Sequence, residues 1–205
     1  MMSEKKSGKA GVTAKKRYGG IIMWSGGFVK PDSEEALEIK GFEGKRSDSS
    51  ALSRDMQKKV IRLFLEGKDE MDLKVYISDC IHKLESGAYE LEYVGIPKGL
   101  SQPLTAYKTD NPHLRAALYS NKNLGTSFGQ ADKPKIIYVS STGIYQKTDV
   151  VAFTRNDDLP KDFVMDVKTM IEKTIVMKLE HVFDAAGFDI NNILGHKKMS
   201  FDDFL

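Results

Sequence analysis

The sequence predicts an α+β fold, with a small antiparallel β piece followed by a mostly helical domain. Three observations predict it. Strand-like runs broken by turn residues fill roughly residues 17 to 43, apolar spacing switches to every third or fourth residue from Ser50, and a glycine closes each periodic stretch.

Taken in order, residues 1–13 (MMSEKKSGKAGVT) hold little bulky apolar content and read as a flexible basic tail. RYGGIIMW and ALEIKGFE then flank the turn-rich SGGFVKPDSEE, the pattern of an antiparallel hairpin or meander. That is too little sheet to stand alone. Leu52, Met56, Val60, Leu63 and Phe64 recur at helical spacing and stop at Gly67. Leu73, Tyr76, Ile77, Cys80, Ile81 and Leu84 repeat the stripe up to Gly87, so Cys80 reads as a core thiol. NPHLRAALYSNKNLG carries its own punctuation, with Asn111 as N-cap, Pro112 at the first helical position and Gly125 past the end. KPKIIYVSS and TDVVAF are short strands. Phe163, Val167, Met170, Ile171, Ile175, Leu179, Val182 and Phe183 mark one long helix from Asp162 to Ala186, closed by Gly187.

With 205 residues and 40% hydrophobic content the chain can bury a core. Lys and Arg number 31 against 29 Asp and Glu, a formal +2, so any nucleic-acid role must rest on local patches. One is visible: Lys5, Lys6, Lys9, Lys15, Lys16 and Arg17 oppose only Glu4, six cations against one carboxylate and a local +5. The single Cys80 excludes an internal disulfide and a cysteine-based zinc site. No apolar run approaches the ~18 residues that span a bilayer, and the start has no apolar signal core. The expectation is a cytoplasmic protein with no membrane partner.

Taken bare, the residues support modest chemistry. His82, His113, His181 and His196 lack metal-ligand spacing and read as surface or satisfied core histidines, so no metal site is expected. No Ser-His-Asp order, glycine-rich phosphate loop or His-Glu-x-x-His is present, and no catalytic residue is expected. What remains is a set of basic and hydroxyl residues in turns: Lys15, Lys16, Arg46, Ser47, Ser50, Lys98, Lys108, His113 and Arg115. That set suits either a solvated surface or a phosphate-binding face.

Three stretches carry a resemblance. AKKRYGG, LEIKGFEGKRSDSSALSRDMQKKVIRLFLEG, and IPKGLSQPLTAYKTDNPHLRAALYSNKNLG with DKPKIIYVS resemble the C-terminal part of archaeal family B DNA polymerases, in that family's order across roughly residues 14–190. In that family the Lys-Lys-x-Tyr element sits at the palm edge against the minor groove of the new duplex. Arg-x-Asp-x-Ser joins palm to thumb, and the helices form the thumb. The resemblance therefore implies a palm-edge β segment over 14–48, a thumb over 49–193 and a C-terminal tail over 194–205.

The family's two-metal centre lies in Tyr-x-Asp-Thr-Asp and Asp-x-x-Ser-Leu-Tyr-Pro motifs, and neither occurs here. The fingers helix and exonuclease motifs are missing too. Because KKRY follows so soon after a methionine and a basic leader, the chain resembles the small subunit of a split family B DNA-directed DNA polymerase, a nucleotidyltransferase of DNA replication. A large subunit would then carry exonuclease, fingers and catalytic palm with its Mg2+, leaving no cofactor in this chain. The YGGIIMW strand is expected to find its neighbours in that large subunit, as one half of a heterodimer. The alternative is a non-catalytic duplex-binding or sliding-clamp adaptor built from a relict thumb.

Roles follow from the resemblance by position. Lys15 and Lys16 would reach the minor-groove side of the primer-template DNA, with Tyr18 packed beside them. Arg46, Ser47 and Ser50 would meet primer phosphates, while Asp48 orients the junction; many relatives carry a second arginine where Ser47 stands. Lys98, Tyr107, Lys108, His113 and Arg115 would face the duplex backbone and add grip without sequence preference. The tail HKKMSFDDFL resembles, in degenerate form, the clamp-binding pattern Gln-x-x-aliphatic-x-x-aromatic-aromatic. Lys198, Phe201, Phe204 and Leu205 fall at its anchors, which makes a sliding clamp an expected partner. The other possibility for this tail is a last apolar turn folded onto the thumb.

Overall fold

A computed structural model describes residues 7–14, 17–25, 28–29, 36–42, 47–143, 147–159 and 162–194. Its first sheet is centred on β2 (Arg17–Ser25). β1 (Ser7–Ala14) pairs antiparallel with β2 from Ala14↔Arg17 to Ser7↔Trp24. β4 (Leu37–Lys40) pairs from Tyr18↔Lys40 to Ile21↔Leu37, and β3 (Phe28–Val29) from Ser25↔Phe28 to Trp24↔Val29. Since β1 and β4 both pair with residues 18–21 of β2, they occupy its opposite sides.

Two expectations change. Residues 7–13, read from sequence as tail, belong to β1; ladder pairing is made by the main chain, so a strand needs no bulky side chains to join it. And β2 is not an orphan waiting for a partner chain. Both its sides are paired within this chain, so among the described residues the outer strands β1, β3 and β4 carry the sheet's edges.

α1 (Ala51–Leu65) packs on β2 through Gly19, which is buried; a Cβ there would lie 2.6 Å from Ile61 Cγ2. α1 ends as the sequence predicts, with Gly67 at φ 74° and Lys68 N–H donating to the Leu63 carbonyl at 3.0 Å. α2 (Glu70–Glu85) buries Leu73, Ile77, Cys80 and Leu84, so Cys80 is a core thiol as expected. After a short α3 (Leu91–Val94) and β5 (Ile96–Pro97), α4 (Pro112–Asn123) begins at the predicted cap: Asn111 Oδ1 accepts from Leu114 N–H at 3.0 Å.

The second sheet is antiparallel and centred on β6 (Lys135–Ser141). It pairs with β5, with β7 (Val150–Phe153) and with β8 (Val164–Met165). Every residue of β7 is buried, which explains its unbroken apolar run.

The long final helix also differs from its prediction. Residues 164 and 165 join β6 as β8, and α5 (Val167–Ile171) starts at Asp166, whose carboxylate accepts from Thr169 N–H at 3.0 Å and Thr169 Oγ1 at 2.7 Å. A π-turn (Glu172–Val176) follows, then α6 (Met177–Ala186) and α7 (Ile190–Leu194). α1 donates into this stretch: Ser53 Oγ to the Thr174 carbonyl at 2.7 Å, and Gln57 Nε2 to the Lys178 carbonyl.

The α+β class thus holds, with two compact units that cut across chain order. The first comprises Met1–Lys45, Arg54–His82 and Val176–Leu205, and its core includes Ile39, Ile61, Ile77 and Phe183. The second comprises Arg46–Ser53 and Lys83–Ile175, with Leu100, Ile136, Ile137, Phe153 and Met170 in its core.

Candidate nucleic-acid interface

The described candidate residues sort by unit. Tyr18 belongs to the first; Ser47, Asp48, Ser50, Lys98, Tyr107, Lys108, His113 and Arg115 belong to the second. Lys15, Lys16, Arg46 and the tail residues Lys198, Phe201, Phe204 and Leu205 lie outside the described residues.

Tyr18 is half-buried in β2. Its hydroxyl donates to Glu38 Oε1 at 3.3 Å, and Lys40 Nζ sits 5.5 Å from its ring centroid, a cross-strand cluster made possible by the Tyr18↔Lys40 register.

Ser50 is spent inside the fold. It is 1% exposed and caps α1, its Oγ accepting from Ser53 N–H at 3.1 Å and lying 2.7 Å from Ser53 Oγ. Ser53 uses its one hydroxyl proton on the Thr174 carbonyl, so the Ser50 hydroxyl donates to Ser53. The Ser50 hydroxyl, expected from sequence to meet a phosphate, thus has its proton and its oxygen both engaged by Ser53 in this structure. Its neighbour Ser47 is exposed, and its Oγ accepts from Lys133 Nζ at 2.8 Å. Asp48, between them, is half-buried.

The loop before α4 gathers three more candidates. Tyr107 Oη accepts from Ser101 N–H at 3.1 Å, and its ring meets the His113 imidazole edge-on with centroids 5.6 Å apart. His113 sits in the first turn of α4, where burial first and the Lys98 ammonium second push its pKa below the ordinary histidine value. It therefore presents a neutral imidazole at pH 7, with Lys98 close by. Lys108 is exposed.

Arg115, two residues further along α4, is already engaged. Its Nε and Nη2 donate to Asp149 at 3.1 and 2.6 Å, and Nη1 to Asp110 at 2.9 Å. The hydrogen bond from Arg115 holds the Asp149 carboxyl below the usual carboxylate range. A phosphate at Arg115 must share it with two carboxylates.

Sequence reasoning missed Lys133 and Asp149. Their partners lie 86 and 34 residues away, and no local signal joins them. Among the described residues, there is no group of three or more His, Cys, Asp or Glu that could hold a metal ion. None of the described helices is long and apolar enough to cross a membrane.

Cations, hydroxyls and an imidazole on braced turns are groups from which phosphate oxygens can accept hydrogen bonds. The profile of DNA polymerase family B matches residues 10–197, and the chain belongs to that family. It is 24% identical over 206 residues to a DNA polymerase of Archaeoglobus fulgidus, covering 93% of this chain and 24% of the relative. To DNA polymerase 2 of Aeropyrum pernix it is 30% identical over 105 residues, 51% of this chain and 12% of the relative. To the DNA polymerase delta catalytic subunit of Drosophila melanogaster it is 24% identical over 172 residues, 82% and 15%. The chain spans a quarter or less of the length of these curated relatives.

Proposed function

We propose that this chain is the palm-edge and thumb part of an archaeal-type family B DNA-directed DNA polymerase. It acts as a small subunit that grips primer-template duplex, while a large subunit supplies exonuclease, fingers and catalytic palm. The observation that carries this reading is the family match over residues 10–197.

Mg2+ at the large subunit's aspartates would activate the primer hydroxyl and stabilise the leaving pyrophosphate. This chain's residues hold phosphates instead. Lys98, Lys108 and the loop ordered by Tyr107 and His113 supply backbone contacts, which fix the duplex in position without reading bases. Lys15 and Lys16 test base-pair geometry from the minor groove, and Arg46 meets a primer phosphate at the junction that Asp48 orients. The large subunit docks against an outer strand of the first sheet, and Lys198, Phe201, Phe204 and Leu205 tether a sliding clamp.

Primer extension by this chain, the large chain and their mixture tests the reading. The mixture should extend far better than either alone, and Lys16→Ala should weaken extension and flatten the salt dependence of duplex binding. Duplex binding with no effect on extension would favour the adaptor instead.

A further inference from the structure

We propose that Lys133 and Ser47 form a phosphodiester-binding pair for the nucleic-acid backbone, a contact that rests on the duplex-gripping reading above. Lys133 Nζ lies 2.8 Å from Ser47 Oγ, and both residues are exposed. Among the described residues Lys133 pairs with no carboxylate; the adjacent Asp132 is turned back, accepting from Gly129 N–H at 2.8 Å. An ammonium resting on a neutral hydroxyl keeps two N–H donors in hand, and Ser47, acting there as acceptor, keeps its own proton to donate. Charge and hydroxyl side by side are the donor set that phosphate oxygens accept.

The backbone is built to hold this arrangement. Ala131 adopts φ 72°, a left-handed conformation that an alanine rarely takes. It is held there as Ala131 N–H donates to the Leu100 carbonyl at 2.8 Å. Leu100 N–H donates to the Asp132 carbonyl and Lys98 N–H to the Pro134 carbonyl, both at 2.8 Å. These bonds brace the main chain on either side of Lys133, which fixes where its side chain starts. They also tie its main chain to the segment that carries Lys98.

Fluorescence anisotropy of a labelled primer-template duplex, titrated with the intact chain at several salt concentrations, tests the pair. Lys133→Ala should weaken binding about tenfold and flatten the log–log salt slope by about 0.9. Ser47→Ala should weaken binding about threefold with the slope unchanged, because it removes a neutral donor. Lys133→Arg should keep the slope, and Lys74→Ala, an exposed lysine of α2, should change neither quantity. A wild-type chain that binds duplex while Lys133→Ala matches it in affinity and slope overturns the pair alone. Failure of the wild type to bind duplex overturns the duplex-gripping reading itself. Calorimetric binding of inorganic phosphate that Lys133→Ala abolishes would make this a small-anion site and overturn the assignment to a nucleic-acid backbone.

Discussion

Gly19→Ala is the substitution whose cost the structure sets most directly. The added Cβ would lie 2.6 Å from Ile61 Cγ2, whereas carbon atoms rest about 3.5–4 Å apart, so roughly 1 Å must be found. Neither partner has room to give it. β2 is fixed by ladders on both sides, and Ile61 is 0% exposed in the core of its unit. Overpacking of this kind costs about 1–3 kcal/mol. For a chain of this size, ~2 kcal/mol lowers Tm by about 4–8 °C. The mechanism is separable from a loss of glycine flexibility by a double-mutant cycle in thermal or urea denaturation. Ile61→Ala alone should cost about 2–5 kcal/mol through the cavity it leaves. The pair Gly19→Ala with Ile61→Ala should cost less than the sum by about 1 kcal/mol or more, because the new methyl then occupies space the isoleucine vacated. A stable Gly19→Ala single variant, or additive costs in the cycle, would refute the close approach of β2 and α1.

Three further outcomes are expected. Asp149→Ala removes the carboxylate that grips Arg115. If Arg115 faces the duplex, the salt slope should steepen by up to about 0.9, and an unchanged slope would turn Arg115 away from DNA. The same pair has an acid limb: the Asp149 pKa is lowered by folding, so its contribution is present above the unfolded value of about 3.9 and is lost as pH falls through the folded one. Being exposed, the pair should contribute no more than about 1 kcal/mol, and Asp149→Ala should flatten the stability–pH profile there. Ala131→Gly relieves the left-handed backbone and should raise stability by about 0.5–1 kcal/mol, yet weaken duplex binding by loosening the Lys133 turn. Deleting residues 198–205 should leave folding and distributive extension intact while abolishing clamp stimulation. A lowered Tm with stimulation retained would make the tail a structural turn.

What was legible in the sequence was local. Gly67, Gly87, Gly125 and Gly187 all take positive φ where the apolar stripes stop, and Asn111–Pro112 starts α4, because caps are chemistry among near neighbours. β1 was illegible because SGKAGVTA has no apolar alternation, and its pairing depends on β2 offering a free side. β8 was hidden inside a helical stripe, since Val164 and Met165 fit either period until β6 claims them. The candidate site divided along the same line. Position in the chain could nominate Ser50 and Arg115, but only tertiary neighbours show that one is an α1 cap and the other is held by Asp149 and Asp110.

On the proposed reading, that sorting bears on how firmly this chain would hold DNA by itself. With a formal charge of only +2, long-range attraction is weak, and affinity must come from cations not already neutralised inside the fold. Among the described residues Lys98, Lys108 and Lys133 pair with no carboxylate, whereas Arg115, Arg62 and Lys135 do. Three phosphate contacts correspond to a log–log salt slope of about −2.7, or roughly a fortyfold loss of affinity between about 50 and 200 mM salt. If Lys15, Lys16 and Arg46 join them, the slope becomes about −5.4. A grip that depends so strongly on salt is a modest one for a subunit working alone. It suits a chain whose hold on the duplex is completed by a second binding surface, since linking two weak contacts raises the effective concentration of each at the other.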